Sequence, residues 1–308
     1  MLCLFAAGSV ACTSAAAPRP TPHPIRIVSS TPGGSVFANV LEQAYGERFT
    51  DLAPDVLESP GILTTLEMLN NGDADVGYST ANVAYAAFSG QLPSRGDRFQ
   101  RLRAIALLRR WAMHVVVGPQ STAGSMEDLR NVRVTSAGPG ARLALTADWV
   151  LPAFGLDATK IDVAHTPTAH KAIEKLLDGR IGALVILGVP PVGIVQAALD
   201  GGARLLPVDG APVGRLLREY PFYSAMMIPA DAYNSPPVVT VGVDGVLMSR
   251  SDLDPDIVYR LTRALYESPE GAHVHPAFAQ WIDAAVGAAT PIPLHAGAAR
   301  YYRERELR

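Results

Sequence analysis

The chain has 308 residues, 48% of them hydrophobic and 18% charged, with a net charge of −3 at neutral pH. That is enough apolar material to core two domains and too much for a disordered chain. It leaves no basic field for nucleic acid or an anionic membrane surface, so selectivity has to come from a local site.

Residues 1–24 do not read as folded structure. Leu2 to Val10 is a short apolar run, followed by Ser9-Val10-Ala11-Cys12, an Ala/Ser patch and the proline-rich Pro18 to Pro24. Such a run is shorter than the roughly 20 residues that span a bilayer, and it suits the apolar core of an export signal. Small residues before Cys12 resemble a lipobox, although Ser9 stands where leucine is usual. Cys12 is therefore expected either to carry lipid or to be removed with a cleaved leader, and the proline-rich stretch to act as an extended tether. Cys3 and Cys12 are the only cysteines, so residues 25–308 offer no disulfide, zinc ribbon or catalytic thiol. The protein is expected outside the cytoplasm: periplasmic, or on the outer face of the cell membrane.

From Ile25 the pattern alternates strand and helix. Ile25–Val28 is a predicted strand running into the loop Ser29-Ser30-Thr31-Pro32-Gly33-Gly34-Ser35. A helix follows with Val36, Val40, Leu41, Ala44 and Tyr45 on one face. Gly61–Asn70 reads as a helix stopped by Asn71-Gly72, Ala74–Tyr78 as a buried strand, and Asn82–Phe88 as a helix. Arg103–Leu108 and Met113–Val117 read as two separate strands. Ser125 and Asp128 form a capping pair for a short helical turn, and Val132–Val134 is a strand. Gly138-Pro139-Gly140 opens a helix expected to end at Gly155. A helix over Lys171–Leu177 precedes a strand at Ala183–Leu187, broken by Gly188-Val189-Pro190-Pro191. Val192–Leu199 is helical and Arg204–Val208 a strand. Strands at Ser224–Ile228 and Val238–Leu247, then helices at Asp256–Glu267 and Gly297–Arg308, complete the chain.

This succession implies βαβ units, a mostly parallel sheet and an α/β fold with two lobes. The expected division is residues 25–115 plus 221–308 in one lobe and 116–220 in the other, with crossings near His114–Gly118 and Tyr220–Ile228. Ligands of α/β sheets sit at strand carboxyl ends against helix N-termini, so the site is expected in a cleft between the lobes.

Three stretches carry a family resemblance: Asn71-Gly72-Asp73-Ala74-Asp75-Val76-Gly77 with Val83–Gly90, then Asp128–Val134, then Pro291-Ile292-Pro293-Leu294-His295-Ala296-Gly297-Ala298-Ala299-Arg300-Tyr301-Tyr302. In this order and spacing the chain resembles the TAXI family of solute-binding proteins, which serve TRAP-type transporters. The resemblance implies a two-lobed periplasmic-binding-protein-like fold, type II-like, and a binding subunit rather than an enzyme, with no cofactor. Its implied partners are a small, anionic organic solute (a carboxylate or an amino acid) and a TRAP-type membrane permease. A monomer is expected. The alternative is an enzyme or sensor module built on the same bilobal scaffold; no Gly-x-Ser-x-Gly elbow is present to support a serine hydrolase.

The ligand-facing residues expected on these grounds are Ser29, Thr31, Gly33, Gly34 and Ser35; Tyr78, Thr80 and Asn82; Arg109 and Trp111; Gly140, Ala141, Arg142 and Leu143; and Gly188. Both glycine turns lead into helix starts, whose free N–H groups favour an anion by about 0.3–1 kcal/mol when exposed. Here the family's usual Gln-Ser-Asp reads Thr80-Ala81-Asn82, and its Ser-Gly-Thr helix opening reads Ala141-Arg142-Leu143. Two hydroxyls give way to a guanidinium, placed in a first turn where the dipole opposes it, which points to an anionic ligand. Arg109, Arg110 and Trp111 offer charge and a stacking surface, with a solvent-facing loop as the other reading. Phe37 and Tyr85 fit apolar walls or plain core. No metal is expected: His273, His275 and His295 lack carboxylate or cysteine partners at ligand spacing. His114 is expected to be packed in a crossing strand.

Overall fold

A computed structural model describes residues 21–30, 35–92, 96–136, 149–156, 169–267, 282 and 287–306. In chain order these form β1 (His23–Ser30), α1 (Ser35–Arg48), β2 (Leu52–Ser59), α2 (Ile62–Asn71), β3 (Val76–Thr80), α3 (Ala81–Ser89) and β4 (Leu102–Val117). A 3-10 turn at Met126–Asn131, β5 (Val134–Ser136), α4 (Ala169–Leu177), β6 (Ala183–Gly188), α5 (Gly193–Asp200), β7 (Arg204–Leu206) and α6 (Gly210–Glu219) follow. The chain closes with β8 (Tyr223–Ile228), the single turn α7 (Ala230–Tyr233), β9 (Val238–Arg250), α8 (Pro255–Glu267) and α9 (Ala296–Glu306).

The strands share one hydrogen-bonded path, β2-β1-β3-β9-β4-β6-β5, with β7 on β4 and β8 on β9. The expectation of a mostly parallel sheet is corrected. β1 runs parallel to β2 and β3, and β5 to β6, but β4 and β9 enter antiparallel to every strand they touch. The reason is that the expected strands over 103–108 and 113–117 are one 16-residue strand. Its first half pairs with β9, and from Ala112 it pairs with β6. β9 likewise pairs with β8 over Val238–Val243 and with β3 over Gly245–Ser249. The strand partners therefore change at about Arg110–Ala112 and Val243–Gly245, inside continuous strands.

Alternation along β4 explains how one strand serves two halves. Met113, Val115 and Val117 join the core formed with Leu129, Val185 and Val243, while Ala112 and Val116 join the opposite face with Leu184, Ile186 and Val195. Nearer its start, Leu108 packs with Ile27, Leu41 and Val258, and Leu102, Ala104 and Leu107 pack with Leu66, Leu69 and Met248 on the other face. Each half of the sheet is thus covered on both sides, the layering that βα units require. The face expected for α1 is the buried one, through Val40, Leu41, Ala44 and Tyr45. Ser125 and Asp128 do form a capping box, with the Asp128 carboxylate accepting the Ser125 N–H at 2.8 Å.

Candidate functional site

β1 and β3 are adjacent and parallel, with Val28 beside Gly77, so their carboxyl ends come together. At those ends lie Ser29 and Thr80, each 0% exposed, and among the described residues neither hydroxyl has a hydrogen-bond partner. An unpartnered buried hydroxyl costs about 1–3 kcal/mol, so two at the ends of neighbouring strands need a reason. Thr80 sharpens the point. It is the N-cap of α3, where a threonine hydroxyl ordinarily accepts a helix N–H, yet its side chain makes no capping bond. Ser79, the residue before Thr80 in β3, is also buried with its hydroxyl unpartnered among the described residues.

Tyr78 is buried and meets the edge of Phe37 at 5.2 Å, which places Phe37 in the core rather than on a ligand wall. Asn82, in the first turn of α3, is 0% exposed and donates from Nδ2 to the Tyr223 hydroxyl at 3.1 Å. That bond ties α3 to β8, and burial pushes the Tyr223 phenol above its ordinary range, so it stays protonated. Tyr85 is half-buried and packs 5.3 Å from Phe222. Trp111 is half-buried between two core clusters, one on each side of the strand crossing. Arg109 is exposed, whereas Arg110 makes a two-bond ion pair with Asp244, from Nε to Oδ1 at 2.7 Å and from Nη2 to Oδ2 at 3.3 Å. Gly188 ends β6 half-buried, and a Cβ there would stand 2.6 Å from a Val192 methyl, so the returning loop needs glycine. Thr31, Gly33, Gly34, Gly140, Ala141, Arg142 and Leu143 lie outside the described residues, as does Cys12, and of Ser35 only the backbone is described.

The structure thus gathers Ser29, Tyr78, Thr80 and Asn82 at one sheet edge, beside the start of α1. It adds Tyr223, bonded to Asn82, which no motif marks in the sequence. Its only signal is a polar ring opening an otherwise apolar strand. His114 and His295 are both packed into the fold. His295 Nδ1 accepts the Gly297 N–H at 3.2 Å at the start of α9. His114 is fully buried in β4. Among the described residues no group of three metal-ligating side chains occurs, and no helix is long and apolar enough to cross a membrane. His273 and His275 lie outside the described residues.

Comparison with solved structures returns the same architecture. The chain is similar to PhnD1 from Prochlorococcus marinus in complex with methylphosphonate, with a TM-score of 0.57 and 11% identity over 93% of this chain and 99% of that one. It is also similar to a TctC solute-binding protein from Polaromonas, with a TM-score of 0.53 and 17% identity over 92% and 96% of the two chains. A structure described as a periplasmic transporter matches with a TM-score of 0.53 and 16% identity over 92% and 94%. At these identities the likeness establishes the fold, that of two-lobed periplasmic binding proteins. The NMT1-like family model matches residues 33–305, nearly the whole of the chain's folded part, and the protein belongs to that family.

Proposed function

We propose that this protein is an extracytoplasmic solute-binding subunit, and that within its family it serves a TRAP-type transporter, as the TAXI resemblance implies. The lobes meet where β4 and β9 change partners, near residues 110–112 and 243–245, rather than at the expected bounds 115/116 and 220/221, since Tyr223, Val241 and Val243 pack with Leu129 and Val185. A small organic anion, a carboxylate or an amino acid, is held between them. The observation that supports this reading best is the pair of buried, unpartnered hydroxyls, Ser29 and Thr80, at neighbouring strand ends beside the start of α1. Hydroxyls and helix N–H groups together satisfy a carboxylate, and Arg142 supplies a forked charge from the other lobe.

Native mass spectrometry of gently purified protein identifies a retained solute, and calorimetry against carboxylates, amino acids and neutral solutes ranks candidates. A hydrogen bond to a charged group contributes about 1.5–3 kcal/mol, so Thr80→Val and Arg142→Ala are each expected to weaken the best ligand by about ten- to a hundredfold. If the best ligand is uncharged and Arg142→Ala binds it equally well, the anion assignment fails while solute binding stands. If no solute in the panel binds and none is retained, the binding role itself fails.

The same reading anchors the protein by lipid on Cys12. Cys12→Ser is expected to move it from the membrane fraction to the soluble exported fraction. A wild-type protein already wholly in that soluble fraction contradicts the anchor and leaves a cleaved leader.

A further inference from the structure

β4 and β9 carry the backbone from one half of the sheet to the other, and their ladder has an irregularity where they cross. The register shifts between Leu108 and Arg110, which leaves Arg109 as an extra residue with no counterpart on β9. Such a bulge interrupts the ladder and bends the strand. On the opposing strand this stretch reads Gly242-Val243-Asp244-Gly245. A Cβ on Gly242 would lie 2.5 Å from Arg110 Cδ, and one on Gly245 would lie 3.0 Å from Leu108 Cβ. The stem of Arg110 therefore lies across Gly242, and its guanidinium closes on Asp244 directly opposite, through the two bonds given above.

The sequence offers Arg110 as a ligand cation, but the structure spends its charge here. The pair is partly open to water, with side-chain exposures of 39% and 17%, and pairs of that kind add little to global stability. Its geometry is nonetheless specific: a planar fork, a glycine floor, and a position one residue past the bulge. Trp111, the next residue, packs against core on both sides of the crossing. Thr80, one of the two candidate ligand hydroxyls, is the ladder partner of Gly245. A bend at this point therefore moves a ligand group together with the lobes.

We propose that the Arg110–Asp244 pair is a clamp across the interlobe hinge. It fixes the resting angle of the two lobes by holding β4 to β9 where the bulge weakens their ladder, and its release lets them rock about Arg109 and Gly245. This rests on the two-lobed binding reading above, but its test needs no ligand. Hydrogen–deuterium exchange and small-angle X-ray scattering are measured on the full chain, as wild type, Asp244→Asn and Arg110→Lys, the last a milder change that keeps charge and stem. Amides of 108–112 and 242–246 are expected to exchange at least tenfold faster in Asp244→Asn, those of β1 and β6 at their wild-type rate. The radius of gyration is expected to rise, with Arg110→Lys intermediate. The double variant Arg110→Met with Asp244→Asn is expected to be no looser than Asp244→Asn alone. Unchanged exchange at the crossing overturns the proposal. So does faster exchange with unchanged scattering, which marks a local brace, and so does a uniform rise across the chain, which marks general destabilisation. Each of these leaves solute capture to the calorimetry.

Discussion

Asp75→Ala is expected to cost about 3–5 kcal/mol of folding stability, read as a lower midpoint in urea without loss of the fold in buffer. Asp75 is buried, and its carboxylate collects charge from two strands. Arg26 donates from Nε to Oδ2 at 2.9 Å and from Nη2 to Oδ1 at 3.0 Å, and its backbone N–H adds a third bond at 2.9 Å. Arg250, from β9, reaches Oδ1 at 3.0 Å. Burial alone pushes this carboxyl up, but the Arg26 side-chain and backbone bonds and those from Arg250 outweigh it and hold it below the usual range. Removing the carboxylate takes the buried partner from two guanidinium groups, which keep only the Gly72 carbonyl and Asp252, and from a backbone donor at the junction of β1, β3 and β9. Partial exposure of both arginines allows some rehydration, which favours the lower end of the range. Asp252→Ala is the control. That carboxylate, half-exposed, pairs with Arg101 and Arg250, and its loss is expected to cost under about 1 kcal/mol. Equal losses from the two variants contradict the role given to Asp75.

That residue also shows what the sequence did and did not disclose. Asp75 belongs to a stretch that carries the family resemblance, yet spacing alone gave it no partner, because Arg26 and Arg250 lie 49 and 175 residues away. Elements with strong local signals appear where expected: α1 from its apolar face, α2 from its stop at Gly72, and the Ser125/Asp128 cap. β2 was missed because it is an edge strand that tolerates Pro54 and reads Leu-Ala-Pro-Asp, a turn-like start. α6 was missed because Gly210, Pro212 and Gly214 open it, which reads as loop. The two strands expected around residues 103–117 are one, because Arg109-Arg110 looks like a polar turn and is a bulge instead. Among the candidate ligand groups, the place of Ser29, Thr80 and Asn82 at or just after strand carboxyl ends is legible in the sequence, whereas Tyr78 lies inside β3. The pairing of Arg110 is not legible, since only the fold brings Asp244 opposite it.

The second large effect is on acid stability, and it turns on His114. The ring is wholly buried in β4, 5.6 Å from the Tyr233 ring and edge-on to it. The Tyr233 hydroxyl accepts the Val192 N–H at 2.8 Å and shares a hydrogen bond with His114 Nε2 at 2.9 Å. The backbone carbonyls of Ala112 and Ile186 lie close to the ring. Burial lowers the pKa from 6.5 to about 4, against a smaller upward pull from those two carbonyls. The sign follows from comparing folded and unfolded chains. Above pH 6.5 both forms are neutral and the full stability is present. Between 6.5 and 4 the unfolded chain binds a proton that the folded chain refuses, so stability falls as the pH falls. With about 1.4 kcal/mol for each tenfold, the loss from this one group is about 2 kcal/mol at pH 5 and about 3 kcal/mol at pH 4. His114→Gln keeps a polar partner for Tyr233 but does not titrate. Urea midpoints of the two proteins at pH 7.5, 5 and 4 make the comparison, with the variant expected to lose about 2–3 kcal/mol less than the wild type on acidification. His295, whose pKa burial also lowers, contributes in the same direction and is present in both proteins, so it cancels. Acid limbs that run parallel within about 0.5 kcal/mol would mean that His114 takes up its proton in the fold over the same pH range as in the unfolded chain, so that burial does not depress it.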